Sequence, residues 1–243
     1  MVGTDHPSAG GSTTLIARSA FCICASLLLS FSPACADDFA SAPAPSWPSN
    51  FVARLEALAF LETLNAELLS HDSATLTLEH WCDVHRLASP PNIVAARVPI
   101  GYKPPSPEQR RDLAVSPTEP IRYRRVRLSC GPLMLSEADN WYVPGRLTPE
   151  MNRLLDTTDM PFGKVVQALH FQRHILSAKL LWFPLPEGWE INGTAVSDGA
   201  TELPIPPYLL EHRAVLTLPN GTPFSEVLET YTRNVLGFPP PRP

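Results

Sequence analysis

The chain has 243 residues, with 28 prolines, 12 glycines, 44% hydrophobic and 18% charged residues, and a formal net charge of −5. Proline runs at more than twice its usual share of about 5%, glycine is too scarce for a collagen, and proline interrupts every candidate heptad run, which excludes a long coiled coil. The apolar content suffices for a packed core, and the acidic balance argues against a nucleic-acid partner.

The first 36 residues read as an address rather than as part of a fold. Arg18 precedes the apolar run Ala20 to Leu29, and Ala34-Cys35-Ala36 forms a small-x-small cleavage pattern ahead of Asp37-Asp38. This is the layout of a secretory signal peptide cleaved after about Ala36, which predicts a periplasmic or secreted protein. The run is too short to cross a bilayer, so no stable membrane span is expected after cleavage. A lipid anchor at Cys35 is disfavoured, because Ser32-Pro33-Ala34 lacks the leucine such sites carry. Cleavage removes Cys22, Cys24 and Cys35 and leaves Cys82 and Cys130. In an oxidising compartment these two either form a disulfide or stay as buried thiols. No CxxC pair or closed ligand set suggests a metal.

Residues 37–50 form a Pro/Ser/Ala-rich linker, 51–236 the folded domain and 237–243 a Pro-rich tail. Phe51, Leu55, Leu58, Phe60, Leu61, Leu64 and Leu68 recur at helical spacing and predict a helix from Phe51 to Leu69 behind a Ser49 or Asn50 cap. Asp72-Ser73 caps a second helix, Ala74 to His85, which Pro90-Pro91 end. A short strand is predicted over Asn92 to Pro99, then a Pro-rich stretch from Gly101 to Pro120 with a polar helical piece over Glu108 to Leu113. Ile121 to Cys130 alternates, with Val126 and Leu128 on one side and Arg125 and Arg127 on the other. It turns at Gly131-Pro132 into a strand from Leu133 to Val143. Thr148-Pro149 opens a helix to about Asp156, a second short helix covers Phe162 to Gln167, and His174 to Phe183 reads as a strand. After a Pro/Gly-rich excursion, Pro184 to Pro207, strands over Arg213 to Leu218 and Phe224 to Val235 flank Asn220-Gly221, a strong hairpin signal. The order predicts one α+β domain: a twisted, mainly antiparallel sheet with helices on one face.

No G-x-S-x-G, H-E-x-x-H, P-loop or G-x-G-x-x-G occurs, so the common hydrolase and nucleotide motifs are absent. The order of landmarks instead resembles chorismate lyase and the related effector-binding domains of bacterial transcription regulators. Asp72-Ser73-Ala74-Thr75 resembles a D-S-x-T helix start, and Arg124-Arg125-Val126-Arg127-Leu128 an R-E-V-x-L strand. Asn140-Trp141-Tyr142-Val143-Pro144 falls where the lyases carry A-R-T-x-x-P, and Pro161-Phe162-Gly163-Lys164 resembles P-L-G-R. Gly221-Thr222-Pro223 followed by Leu228-Glu229-Thr230-Tyr231 resembles G-x-P followed by T-E-x-F. The resemblance spans about Leu64 to Leu236.

It implies a small ligand pocket and a lyase that splits chorismate into 4-hydroxybenzoate and pyruvate without metal or organic cofactor. Such chemistry needs an arginine for the substrate carboxylate, a carboxyl group beside the reacting oxygen and an apolar box for the ring. The resemblance assigns the arginine to Arg124, the acid to Glu229, and pocket contacts to Phe162 and Asn140. Arg125 is the alternate because one extra residue separates this strand from Cys130. Glu226 is the alternate because Glu229 runs one residue out of step from Gly221. Asn140 stands in place of an arginine, and Glu137 and Asp139 beside it would oppose an anion. Three functions are therefore expected in competition: an exported, cofactor-independent carbon–oxygen lyase; a non-catalytic binder of a small aromatic or carboxylic ligand; and a structural envelope protein that uses its Pro-rich loops.

Overall fold

The computed structural model describes residues 45–99, 101–192 and 201–241, with the side chain of Asn192 excepted. The segment read as a signal peptide and most of the linker lie outside the described residues, as do the last two residues of the tail. The described residues belong to one compact unit. No helix among the described residues is long and apolar enough to cross a membrane.

Two helices open the domain. In α1, Phe51–Ser70, the Asn50 side chain accepts from the Ala53 N–H at 2.8 Å and caps the first turn. Its buried stripe is Ala53, Ala57, Leu61, Leu64 and Leu68, whereas Phe51 and Leu55 stay exposed. In α2, Ala74–Val84, Ser73 is the cap, as expected, and Trp81 faces the core. The Trp81 indole N–H donates to the Val235 carbonyl at 2.9 Å, and that of Trp47 to the Leu236 carbonyl at 3.1 Å. These two bonds tie α2 and the segment ahead of α1 to Val235 and Leu236, because a buried indole must place its N–H.

The sheet has six strands: β1 Ile93–Arg97, β2 Arg122–Cys130, β3 Leu133–Tyr142, β4 Gln172–Leu180, β5 Tyr208–Thr217 and β6 Pro223–Thr232. Their order is β1-β2-β3-β6-β5-β4, with every neighbouring pair antiparallel. The β5–β6 hairpin turns at Asn220-Gly221, where Gly221 takes φ +82° and the Asn220 side chain accepts from the Thr222 N–H at 3.0 Å. Three boundaries differ from the periodicity. β5 begins five residues earlier than expected, because Tyr208 and Leu210 already pair with Thr232 and Tyr231. β4 begins at Gln172 rather than His174, paired with Thr217. β6 stops at Thr232, whose hydroxyl accepts from the Asn234 N–H at 3.2 Å and starts a 3-10 turn over Arg233–Leu236.

The α+β architecture and its antiparallel sheet are as the sequence suggests. α1, α2, α4 (Pro149–Thr157) and α5 (Phe162–Val165) pack on one face. One short helix, α3 (Pro107–Asp112), lies on the other. There Leu113, Ile121, Trp141 and Val143 make a small apolar cluster that the loop carrying α3 covers. Ser106 and Gln109 form a capping box that fixes the start of α3. Pro184 to Pro207 is not wholly irregular: it holds a short helix, α6 (Trp189–Asn192), and a bridge between Pro48 and Glu202.

Candidate functional site

The strand register decides which side chains meet. Arg124 pairs with Asn140, Asn140 with Val227, Ala138 with Glu229, and Glu229 with His212. Directly opposed residues share a face, so Arg124, Asn140, Val227, Glu229 and His212 all lie on the face covered by α1, α2 and α5. Arg124, Asn140, Phe162 and Glu229 line one cavity with about 40 Å³ open to water-sized molecules. Arg173 on β4 joins them, and Ser73 and Thr75 at the start of α2 close the cavity over Gly163. A Cβ at Gly163 would come to 2.9 Å from both the Ser73 and Thr75 hydroxyl oxygens, so a larger residue there would have to displace those two side chains.

The alternates fall elsewhere. Arg125 and Glu226 point to the opposite face, one step out of phase with Arg124 and Val227. Arg125 binds Glu137 at 3.0 Å, and Glu226, fully buried, accepts from Arg213 at 2.7 Å. Neither lines the cavity, so the expectation that they contact a ligand there is corrected. The odd residue between Gly221 and Glu229 is absorbed by a bulge: Leu216 pairs with Ser225 while Thr217 pairs with Pro223. Glu137 and Asp139 share that opposite face and are met by Arg125, Arg127 and Lys103, so they do not repel an anion in the cavity.

Arg124 is 7% exposed. Its Nη2 donates to the Met160 carbonyl at 3.2 Å, while Nε and Nη1 have no partner. Among the described residues no carboxylate comes within ion-pairing distance of it. Burial, helped by the like charge of Arg97, pulls its pKa down. Beside it, Asn140 accepts from the Ser225 hydroxyl at 2.6 Å and keeps an unpartnered amide Nδ2. Buried donors without partners are costly, and these two sit next to each other on paired strands. Phe162 supplies apolar wall, its ring 5.5 Å from that of Tyr142.

Glu229 is differently placed. It accepts from Arg173 Nη2 at 2.5 Å and from the Tyr231 hydroxyl at 3.2 Å. Both members of the ion pair are buried, with side-chain exposures of 3% and 8%. Burial opposes the Arg173 charge, yet the adjacent carboxylate outweighs it and raises the Arg173 pKa. Burial, with Glu229 beside it, pushes Tyr231 well above the usual phenol value. The carboxylate that the family resemblance casts as the acid is thus already engaged by a cation and a phenol.

Sequence reading missed Arg173 and His212, because it began their strands at His174 and Arg213, each one residue past the side chain in question. His212 is fully buried, its Nε2 2.9 Å from Asn65 Oδ1. Burial lowers its pKa from 6.5 to about 4. Between those values the unfolded chain binds a proton that the folded chain rejects, so stability rises with pH across that window and falls on acidification through it. We expect the stability of the parent to drop by about 3 kcal/mol between pH 7 and pH 4 from this residue, and His212→Gln to remove that part of the slope. Denaturant midpoints measured across the window check it; equal slopes in the two proteins would refute it.

Cys82, at the end of α2, and Cys130, at the end of β2, are joined by a disulfide with Cα atoms 6.4 Å apart.

No protein-family model matches the chain. Among solved structures, it is similar to PhnF from Mycobacterium smegmatis at 11% identity and TM-score 0.44, covering 68% of this chain and 66% of that one. It is similar to YydK from Bacillus subtilis subsp. subtilis str. 168 at 18% identity and TM-score 0.35, over 58% and 57% of the two chains. A GntR-family transcriptional regulator from Enterococcus faecalis V583 matches at 16% identity and TM-score 0.37, over 58% and 94%. Likenesses this distant say nothing of a ligand. Sequence similarity is far stronger to one curated protein, uncharacterized protein y4mC of Sinorhizobium fredii (strain NBRC 101917 / NGR234), with 53% identity over 215 residues, 88% of this chain and 90% of that one. At that identity, held over nearly the full length of both proteins, the chain belongs to the family of y4mC.

Proposed function

We propose that the domain is a binding protein for a small organic carboxylate, exported by the amino-terminal signal, and that Arg124 and Asn140 hold the carboxylate. The observation that carries this reading is the set of buried, unpartnered donors on Arg124 and Asn140 facing an apolar-walled cavity. A carboxylate supplies acceptors and charge to both at once, and a guanidinium can receive it in a bidentate fork. The space open to water in this state is that of a few water molecules. It suits a short-chain acid directly, and an aromatic acid once Phe162 turns aside. Arg124 and Glu229 lining one cavity is what a lyase would need, but the engagement of Glu229 by Arg173 and Tyr231 favours binding without turnover. Export is supported by the sequence alone.

Thermal unfolding of the mature protein with acetate, pyruvate, butanoate, benzoate, 4-hydroxybenzoate and chorismate tests this. Saturating binder at about a hundred times its Kd should stabilise by about 2.7 kcal/mol, and Arg124→Ala should abolish the shift while the protein stays folded. Chorismate should yield no 4-hydroxybenzoate. No shift with any acid, or the same shift in Arg124→Ala, would overturn the binding reading; released 4-hydroxybenzoate would replace it with the lyase.

A further inference from the structure

Arg124 has a second side. A groove of about 310 Å³ lies past the end of β1, and Arg124 is in the wall of both this groove and the buried cavity. The groove exists because β1 pairs only with Val126 to Cys130 and stops at Arg97. Beyond it, β2 continues as Arg122 to Arg125 with no strand on that side; a single bond, the Val98 N–H to the Arg125 carbonyl at 3.0 Å, closes the corner.

Arg97, Arg122, Arg124 and Arg125 all line this groove. Their negative partners are few. Arg125 is neutralised from the opposite face by Glu137 and Asp139. Arg122 meets Asp156 at 2.8 Å in a pair whose two side chains are each about half exposed. Arg97 makes no ion pair among the described residues, and its charge is felt by Arg124. Asp156 is the one carboxylate among the lining residues, and it is already shared with Arg122. Tyr102, Tyr123 and Tyr142 add aromatic walls and hydroxyls. With Arg125 neutralised, Arg97, Arg122 and Arg124 share the walls of one open groove that holds a single carboxylate, and Arg124 lines the cavity as well.

We propose that the ligand carries two anionic groups, one held by Arg124 and Asn140 in the cavity and the other by Arg97 and Arg122 in the groove. This rests on the reading of the cavity as a carboxylate site and adds a second head to its ligand. Like charges at Arg97, Arg122 and Arg124 repel one another, and a dianion that spans Arg124 relieves that repulsion on both sides. The groove head meets solvent-exposed arginines, so its contribution is screened by salt, whereas the cavity head is screened far less.

Calorimetric titration with matched acids, butanoate against succinate and benzoate against terephthalate, tests the second head. In the parent protein each diacid should bind about tenfold tighter than its monoacid, one further charge-assisted contact. That advantage should shrink as salt is raised, and it should vanish in the double variant Arg97→Ala/Arg122→Ala. A monoacid that binds through Arg124 with a diacid no tighter, or a diacid advantage that survives the double variant, overturns the second head alone. If neither acid of either pair binds, or if Arg124→Ala leaves both affinities intact, the cavity reading fails and this inference fails with it.

Discussion

Arg173→Met should destabilise the domain by about 3–5 kcal/mol at neutral pH, the cost of removing one partner from a buried ion pair. The reason lies in what remains. Glu229 would keep its place beneath the helices, with one phenol hydroxyl and no cation to compensate its charge. Removing both charges together should be far milder, because two apolar side chains of similar volume replace two ions that no longer need burying. The double variant Arg173→Met/Glu229→Leu should therefore recover more than half of the loss. Urea midpoints at constant m-value measure all three proteins. A loss below about 1 kcal/mol in Arg173→Met would mean that Glu229 reaches water and that the pair is a surface one.

The same pair decides what the cavity can do. The Glu229 carboxylate is held between Arg173 and Tyr231 in a buried salt bridge. It can fix the far wall of a binding cavity. Arg173 also brings an unpartnered Nε to that wall, so Arg173→Met should weaken carboxylate binding as well as stability. Glu229→Gln, which keeps the shape of the side chain, separates the two effects.

What could be read in the sequence follows from which physical rule acts locally. The two opening helices were legible because their caps, Asn50 and Ser73, and their apolar spacing are local features. The hairpin was legible because Asn220-Gly221 fits a tight turn. Period-two alternation separated Arg124 from Arg125 onto two faces but could not say which face carries the cavity. That choice depends on where α2 and α5 pack, which is tertiary. The alternation around Glu229 was obscured by one bulge residue, visible only as a register shift in the strand pairing. Arg173 and His212 escaped notice because strand ends depend on partner strands, and theirs extend to meet Leu216 and Glu229. The opposite-face position of α3 had no local signal at all. It depends on Leu113, Ile121, Trp141 and Val143 meeting one another across long sequence distances.

Loss of the Cys82–Cys130 disulfide should cost about 4 kcal/mol by the chain-entropy model, since the bond closes a loop of 48 residues. The bond ties the end of α2 to the end of β2, both cysteines being fully buried. Release leaves those two elements joined only by packing and by a long loop in the unfolded chain. Cys82→Ala/Cys130→Ala should lower the urea midpoint accordingly, and reductant should lower the parent to nearly the same value. If reductant leaves the parent midpoint unchanged, or if two free thiols titrate after denaturation without reductant, the stabilisation is refuted. The bond also carries information about compartment, since cytosolic thiol pools keep such pairs reduced. Protein recovered from outside the cytoplasm should therefore have an intact mass lower than the full chain by residues 1–36 and by two hydrogens. The full-length mass with both thiols free would remove export and the disulfide together, whereas a cleaved chain with free thiols would leave export standing and assign the closeness of Cys82 and Cys130 to core packing alone.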